Sequence, residues 1–180
     1  NIRLSPSQIA YTIDHAEDDV ILFHADFISL LEEVMLEVKR DARLILMRDS
    51  ADIELPQTTL KIEAIFDELF INTDQYFSFP DFDENTRATT FYTTGTTGNP
   101  KAVAYSHRQL VLHTMGILAT FGPMSANNRF HNRDVYMPIT PMFHVHGWGF
   151  PYAATMLGLK QIYPNRYVPS RILALICEHR

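Results

Sequence analysis

A chain of 180 residues with 46% hydrophobic and 20% charged side chains holds about one domain's worth of protein and enough apolar surface for a core. Its net charge of -6, with lysines and arginines scattered, excludes a basic nucleic-acid surface and an electrostatic membrane anchor. A single cysteine, Cys177, excludes an internal disulfide and a cysteine-based metal site and fits a reducing cytoplasm; its neighbours Leu173, Leu175 and Ile176 predict a small buried hydrophobe there.

The chain begins at Asn1 without a signal-peptide pattern and stops inside a predicted helix over 172–180, so it reads as a piece of a longer protein. Ser5-Pro6-Ser7-Gln8 is a helix start: serine as cap, proline in the first helical position, and glutamine placed to complete a capping box. Ile9 and Ile13 supply the buried stripe, with Ala16 close to the same face. Val20-Ile21-Leu22-Phe23-His24 is a short apolar run of the kind found in buried parallel strands. Phe27, Leu30, Leu31, Val34 and Val38 then recur at helical spacing, and Leu44-Ile45-Leu46-Met47 predicts another strand. Helix, strand, helix, strand is the rhythm of an α/β protein with an open, doubly wound, mostly parallel sheet flanked by helices.

Asp49 to Gln57 reads as loop, and Ile62, Ile65, Phe66 and Leu69 predict a short amphipathic helix. Asn72 to Arg87 is irregular and acidic; Asp74, Asp81, Asp83 and Glu84 lack the spacing of an oxygen cage and read as a solvated connector. Strands are expected over Ala88–Tyr92 and Ala102–Tyr105. Ser106-His107-Arg108-Gln109 is a second capping box, opening a helix with Leu110, Val111, Met115 and Leu118 as its apolar face and an end near Gly122-Pro123. His107 reads as a surface or boundary histidine. Val135-Tyr136-Met137 and Lys160 to Tyr163 read as strands, Tyr152 to Leu157 as helix, and Pro169 as the start of the last helix.

Val135 to Leu159 contains no Asp, Glu, Lys or Arg, which by length alone admits a membrane span. Pro138, Pro141 and Pro151 break that run, and His144, His146 and three glycines are poorly satisfied in lipid, so no transmembrane segment is assigned. In organisation the chain reads as one partial domain over 1–180: helix-strand repeats over 1–70, an irregular connector over 71–88, and a loop and pocket region over 89–180.

Two segments carry chemistry. Tyr92-Thr93-Thr94-Gly95-Thr96-Thr97-Gly98-Asn99-Pro100-Lys101 combines glycines that can take positive φ, four threonine hydroxyls and a compact cation, an inventory suited to a multiply charged oxyanion. It is not a P-loop, because the glycines are three apart and Ala102 follows the lysine. By composition alone a solvated turn remains the ordinary alternative. Pro141-Met142-Phe143-His144-Val145-His146-Gly147-Trp148-Gly149 carries two histidines two apart, whereas a helical zinc pair needs a spacing of four and a third ligand; no metal site is assigned. Histidines hydrogen-bonded within a core are the other reading.

The order of residues from Tyr92 to Lys101 closely resembles the phosphate-binding signature of the acyl-adenylate-forming superfamily: acyl-CoA synthetases, luciferases and the adenylation domains of peptide synthetases. Pro141-Met142-Phe143-His144 looks like the segment lining the acyl pocket of the same enzymes, and Phe143 to Gly149 looks most like bacterial fatty-acyl-CoA synthetases. Ala102 departs from the usual glycine after the lysine.

The resemblance implies part of a larger N-terminal domain in an acid-CoA ligase that uses ATP, Mg2+ and coenzyme A on a small carboxylic acid, a fatty acid being the expected class. It places Thr93, Thr94, Gly95, Thr96, Thr97, Gly98 and Lys101 on the ATP phosphates, and His144 beside the acyl carboxylate. Phe143, His146, Gly147 and Trp148 fall on the pocket wall. The glutamate motif that helps hold magnesium, the ribose-binding aspartate and the lysine of the C-terminal domain are not found, so the 180 residues by themselves are expected not to catalyse adenylation. A luciferase-like enzyme, an amino-acid adenylation domain and a non-catalytic nucleotide-binding or assembly module are the alternatives.

Overall fold

A computed structural model describes residues 1–50, 57–71, 73, 76–93, 98–125 and 129–179. They fall into two compact units, Asn1–Asp81 with Thr94–Pro100, and Phe82–Thr93 with Lys101–Arg180.

In the first unit, helix α1 (Pro6–Ala16) opens with the predicted capping box. The Ser5 hydroxyl accepts from the Gln8 N–H and the Gln8 side chain accepts from the Ser5 N–H. Strand β1 (Val20–His24), a 3-10 turn (Ala25–Phe27), helix α2 (Ile28–Met35) and strand β2 (Arg43–Met47) follow. The helix is shorter than Phe27 to Val38 suggests. Val38 packs against the core from the following turn, where Asp14 accepts from the N–H groups of Lys39 and Arg40.

Strands β1 and β2 pair in parallel, with Phe23 opposite Leu46. Ala10 and Ile13 of α1, Ile28, Leu31 and Val34 of α2, and Phe23, Leu44 and Leu46 of the strands form one buried cluster. Alternation along β1 sends Phe23 inward and leaves Val20 and Leu22 exposed.

The predicted helix over Ile62–Leu69 is a correction. Ile62–Ile65 is strand β3, paired in parallel with β2, and Phe66–Phe70 is a separate 3-10 helix. Two short elements placed end to end reproduced a helical spacing, and pairing against the buried β2 decided the first of them.

In the second unit, strands β4 (Arg87–Thr93) and β5 (Lys101–Ser106) form an antiparallel hairpin, and helix α3 (His107–Phe121) follows directly through the second predicted capping box. Next come strand β6 (Val135–Tyr136), the one-turn element α4 (Val145–Trp148), helix α5 (Phe150–Met156), strand β7 (Lys160–Gln161, parallel to β6) and helix α6 (Pro169–Glu178). Three of the four strand pairings among the described residues are parallel, and the α/β class holds.

Two expectations fail here. The buried stripe of α3 is Thr114 and Ile117, while Val111 and Met115 are exposed. Thr114 satisfies its hydroxyl on the Leu110 carbonyl at 2.8 Å, which lets a polar residue take an inward position. Cys177 is exposed, because α6 buries its Ile172 side and turns Leu173, Ile176 and Cys177 outward.

His107 is exposed, with its ring against Phe82 at 4.5 Å. Within the connector, Asp83 accepts from the Asn85 backbone and side chain; Asn72, Asp74 and Gln75 lie outside the described residues, as does 51–56 of the predicted loop. No helix among the described residues is long and apolar enough to cross a membrane.

Candidate functional site

The first chemical segment is entered and left by strands whose form follows from local sequence. The β-branched and aromatic run Thr89-Thr90-Phe91-Tyr92-Thr93 favours strand, and its pairing with β5 continues to Thr93 opposite Lys101. Directly opposed residues of an antiparallel pair share a face, so the Thr93 hydroxyl and the Lys101 ammonium leave the hairpin on one side at its loop end. Thr93 Oγ1 lies 3.5 Å from the Lys101 carbonyl, and both side chains are exposed. Gly98 has φ +94, and a Cβ built on it meets nothing within 4 Å, so its backbone stays open to a ligand's approach. Thr94, Gly95, Thr96 and Thr97 lie outside the described residues.

The segment over 141–149 folds into an unusual turn. Val145, His146, Gly147, Trp148 and Gly149 all have positive φ, between +49° and +75°. Left-handed backbone costs roughly 1–2 kcal/mol for each non-glycine residue, and Val145 is β-branched as well. Local hydrogen bonds run from the His144 N–H to the Pro141 carbonyl, from Gly147 to His144 and from Gly149 to His146. Gly147 is buried, and a Cβ there meets the Met142 sulfur at 3.3 Å. Gly149 is tighter still: with φ +75°, a Cβ there would stand 2.6 Å from the His113 ring, which would have to move.

The two histidines of the segment diverge. His144 is exposed, with its ring edge-on to Trp148 at 5.9 Å. His146 turns inward, where its Nε2 is 2.7 Å from Thr89 Oγ1 and its ring meets Phe91 edge-on at 5.3 Å. Burial lowers the His146 pKa and favours the neutral imidazole. Trp148 remains 57% exposed, and its carbonyl is 3.3 Å from His113 Nε2.

Between the hairpin, α3 and the turn lies a cavity of about 200 Å³, walled by Phe91, Tyr105, His113, Val145, His146 and Trp148 with flanking residues of α3 and α5. Among the described residues no carboxylate lines it. Of the residues expected on a pocket wall, His146 and Trp148 line this space, whereas Phe143 and Gly147 do not; His144, expected beside the acyl carboxylate, is not part of its lining either.

Phe91, Tyr105, His113 and Thr89 escaped sequence reasoning. The alternation of Thr89 with Phe91 placed both on one strand face, but nothing local said that His146, 57 residues later, would dock there. Among the described residues no group of three or more His, Cys, Asp or Glu could hold a metal ion.

The family described as AMP-binding enzyme matches residues 1–180, and this chain belongs to that family. It is 42% identical over 173 residues to 3-methylmercaptopropionyl-CoA ligase of Ruegeria pomeroyi, covering 92% of this chain and 29% of that protein. It is 39% identical over 176 residues to the long-chain-fatty-acid–CoA ligase of Thermus thermophilus, covering 97% of this chain and 30% of that one. The chain thus spans less than a third of these relatives. Its fold is shared with a red-emitting luciferase from Phrixothrix hirtus at a TM-score of 0.74 and 19% identity, covering 98% of this chain and 33% of the luciferase.

Proposed function

We propose that the full-length protein is an AMP-forming acid-CoA ligase acting on a carboxylic acid with an apolar chain. The observation that carries this reading is the pairing of Thr93 with Lys101 at the mouth of the signature loop in a member of the AMP-binding family. In the reaction a carboxylate oxygen attacks the α-phosphorus of ATP, the bond to the bridging β-oxygen breaks, and pyrophosphate leaves. The thiol sulfur of coenzyme A, having lost its proton, then attacks the acyl carbon and AMP departs.

Charge accumulates on the leaving pyrophosphate in the first step, so the Lys101 ammonium, the hydroxyls of Thr93, Thr94, Thr96 and Thr97, and the N–H groups around Gly95 and Gly98 act there. His144 takes the acyl carboxylate or its adenylate as hydrogen-bond partner. Its exposed ring leaves room for that ligand. The apolar cavity behind Trp148 receives the chain of the acid. Magnesium arriving with ATP would neutralise phosphate charge; among the described residues no group of three or more His, Cys, Asp or Glu offers a ligand set for it. A cytoplasmic location and a C-terminal domain of the same polypeptide belong to this reading.

The test is Lys101→Ala in the full-length protein, assayed by carboxylate-dependent pyrophosphate exchange and by thioester formation across a series of acids. Loss of one oxyanion-stabilising group lowers such rates by about 10²–10³. Exchange that survives Lys101→Ala unchanged assigns the loop to a binding module and overturns the reading.

A further inference from the structure

The left-handed turn over Val145–Gly149 needs support from outside itself, because local hydrogen bonds alone leave three non-glycine residues in a disfavoured conformation. Two contacts supply it. His146 docks on β4 through Thr89 and Phe91, and the Trp148 carbonyl faces His113 on α3.

The first contact uses the regular part of the hairpin. Past a register shift between Arg87 and Thr89, Thr89 stands opposite Tyr105 and Phe91 opposite Val103, so strand alternation puts Thr89, Phe91 and Tyr105 on one face. One hydroxyl and two aromatic rings thus stand on the same side: Phe91 stacks on Tyr105 at 5.7 Å and meets His146 with its edge. The imidazole is therefore held by polar contact at Nε2 and by apolar contact along its ring. Its position two residues before Trp148 couples that grip to the wall of the cavity.

We propose that Thr89 is a positioning residue for the acid substrate: its hydroxyl fixes the His146 ring, and through it the left-handed turn that shapes the cavity beside Trp148. This deepens, and rests on, the reading of the cavity as the acyl subsite. Thr89 itself does not line the cavity and does not touch the reacting atoms in this account.

The experiment uses the full-length protein with Thr89→Val, which keeps shape and strand preference but removes the hydroxyl, and Thr89→Ser, which keeps the hydroxyl. Thr89→Val is expected to raise the KM for the acid about tenfold in pyrophosphate exchange, the effect of losing one half-buried hydrogen bond, with the KM for ATP unchanged. Thr89→Ser is expected to restore it to within about threefold.

A second readout needs no turnover. In protein labelled with 15N-histidine, the His146 ring, assigned through His146→Gln, should show one fixed tautomer in the wild type and an average of two in Thr89→Val. Equal effects of valine and serine, a loss of activity that merely tracks a lowered melting temperature, or an averaged tautomer in the wild type would overturn the proposal. Absence of exchange with every acid, alongside a fixed tautomer that Thr89→Val releases, would instead sink the ligase reading and leave the grip on His146 standing.

Discussion

The core of the first unit and the histidine turn of the second show two opposite ways of spending residues. In β2, Leu44, Ile45 and Leu46 are buried in an extended strand with parallel neighbours on both sides, the only departure in these pairings being a one-residue register shift against β3 between Leu44 and Ile45. In the 145–149 turn the backbone is left-handed throughout, one side chain is more than half exposed, and the contacts that hold the turn come from a distant strand and helix. The first arrangement maximises stability, whereas the second gives some up to present particular groups in a particular place. Strain of this sort persists where the surroundings over-determine it, and it collects at functional sites.

The largest test of that contrast is Leu46→Ala. Leu46 is fully buried, and truncation leaves a cavity among Phe23, Leu44 and the helices, so a loss of about 2–5 kcal/mol is expected from urea unfolding of the full-length protein. Variant protein that remains folded should keep its KM values. If it bound the acid ten times more weakly while unfolding normally, the division of labour between core and site would be wrong.

Gly149→Ala breaks the other side of the comparison. The added methyl meets His113 at 2.6 Å in a backbone conformation that alanine disfavours, so a cost of about 1–3 kcal/mol is expected, together with a changed acid preference. Pairing it with His113→Ala, which clears the clash but not the φ penalty, should recover part of the stability in a double-mutant cycle. Full recovery would mean that the left-handed backbone carries no cost.

The same contrast explains what could be read from the sequence. Helix α1, strand β1 and both capping boxes were legible because each is decided by contiguous residues: Ser5 with Gln8, Ser106 with Gln109, and the apolar run over Val20–His24. The helix predicted over Ile62–Leu69 was misread because its decisive interaction, the pairing of β3 with β2, joins segments far apart in sequence. The roles suggested for Lys101 and His144 came from a resemblance of motifs. That resemblance named the second segment but not its backbone, since three of the five left-handed residues are not glycine and carry no local signal for positive φ. Thr89 and His113 were invisible for the converse reason: they are ordinary residues of a strand and a helix until the turn docks on them.

A pH dependence separates the two regions with the smallest effect. Burial holds the His146 pKa below the ordinary value of 6.5, so near and below that pH the unfolded chain binds more protons at this site than the folded one. Stability therefore falls as pH drops through 6.5, and the penalty is complete once the pH is below the folded-state pKa. Above 6.5 both states hold the neutral ring and the term vanishes. His146→Gln lacks it, so the wild type should lose more stability than this variant between pH 7.5 and pH 5, while the loss for Leu46→Ala stays the same at both. Parallel pH profiles for wild type and His146→Gln would show that the ring accepts a proton as readily in the turn as in water, and that the inward placement beside Thr89 and Phe91 does not isolate it.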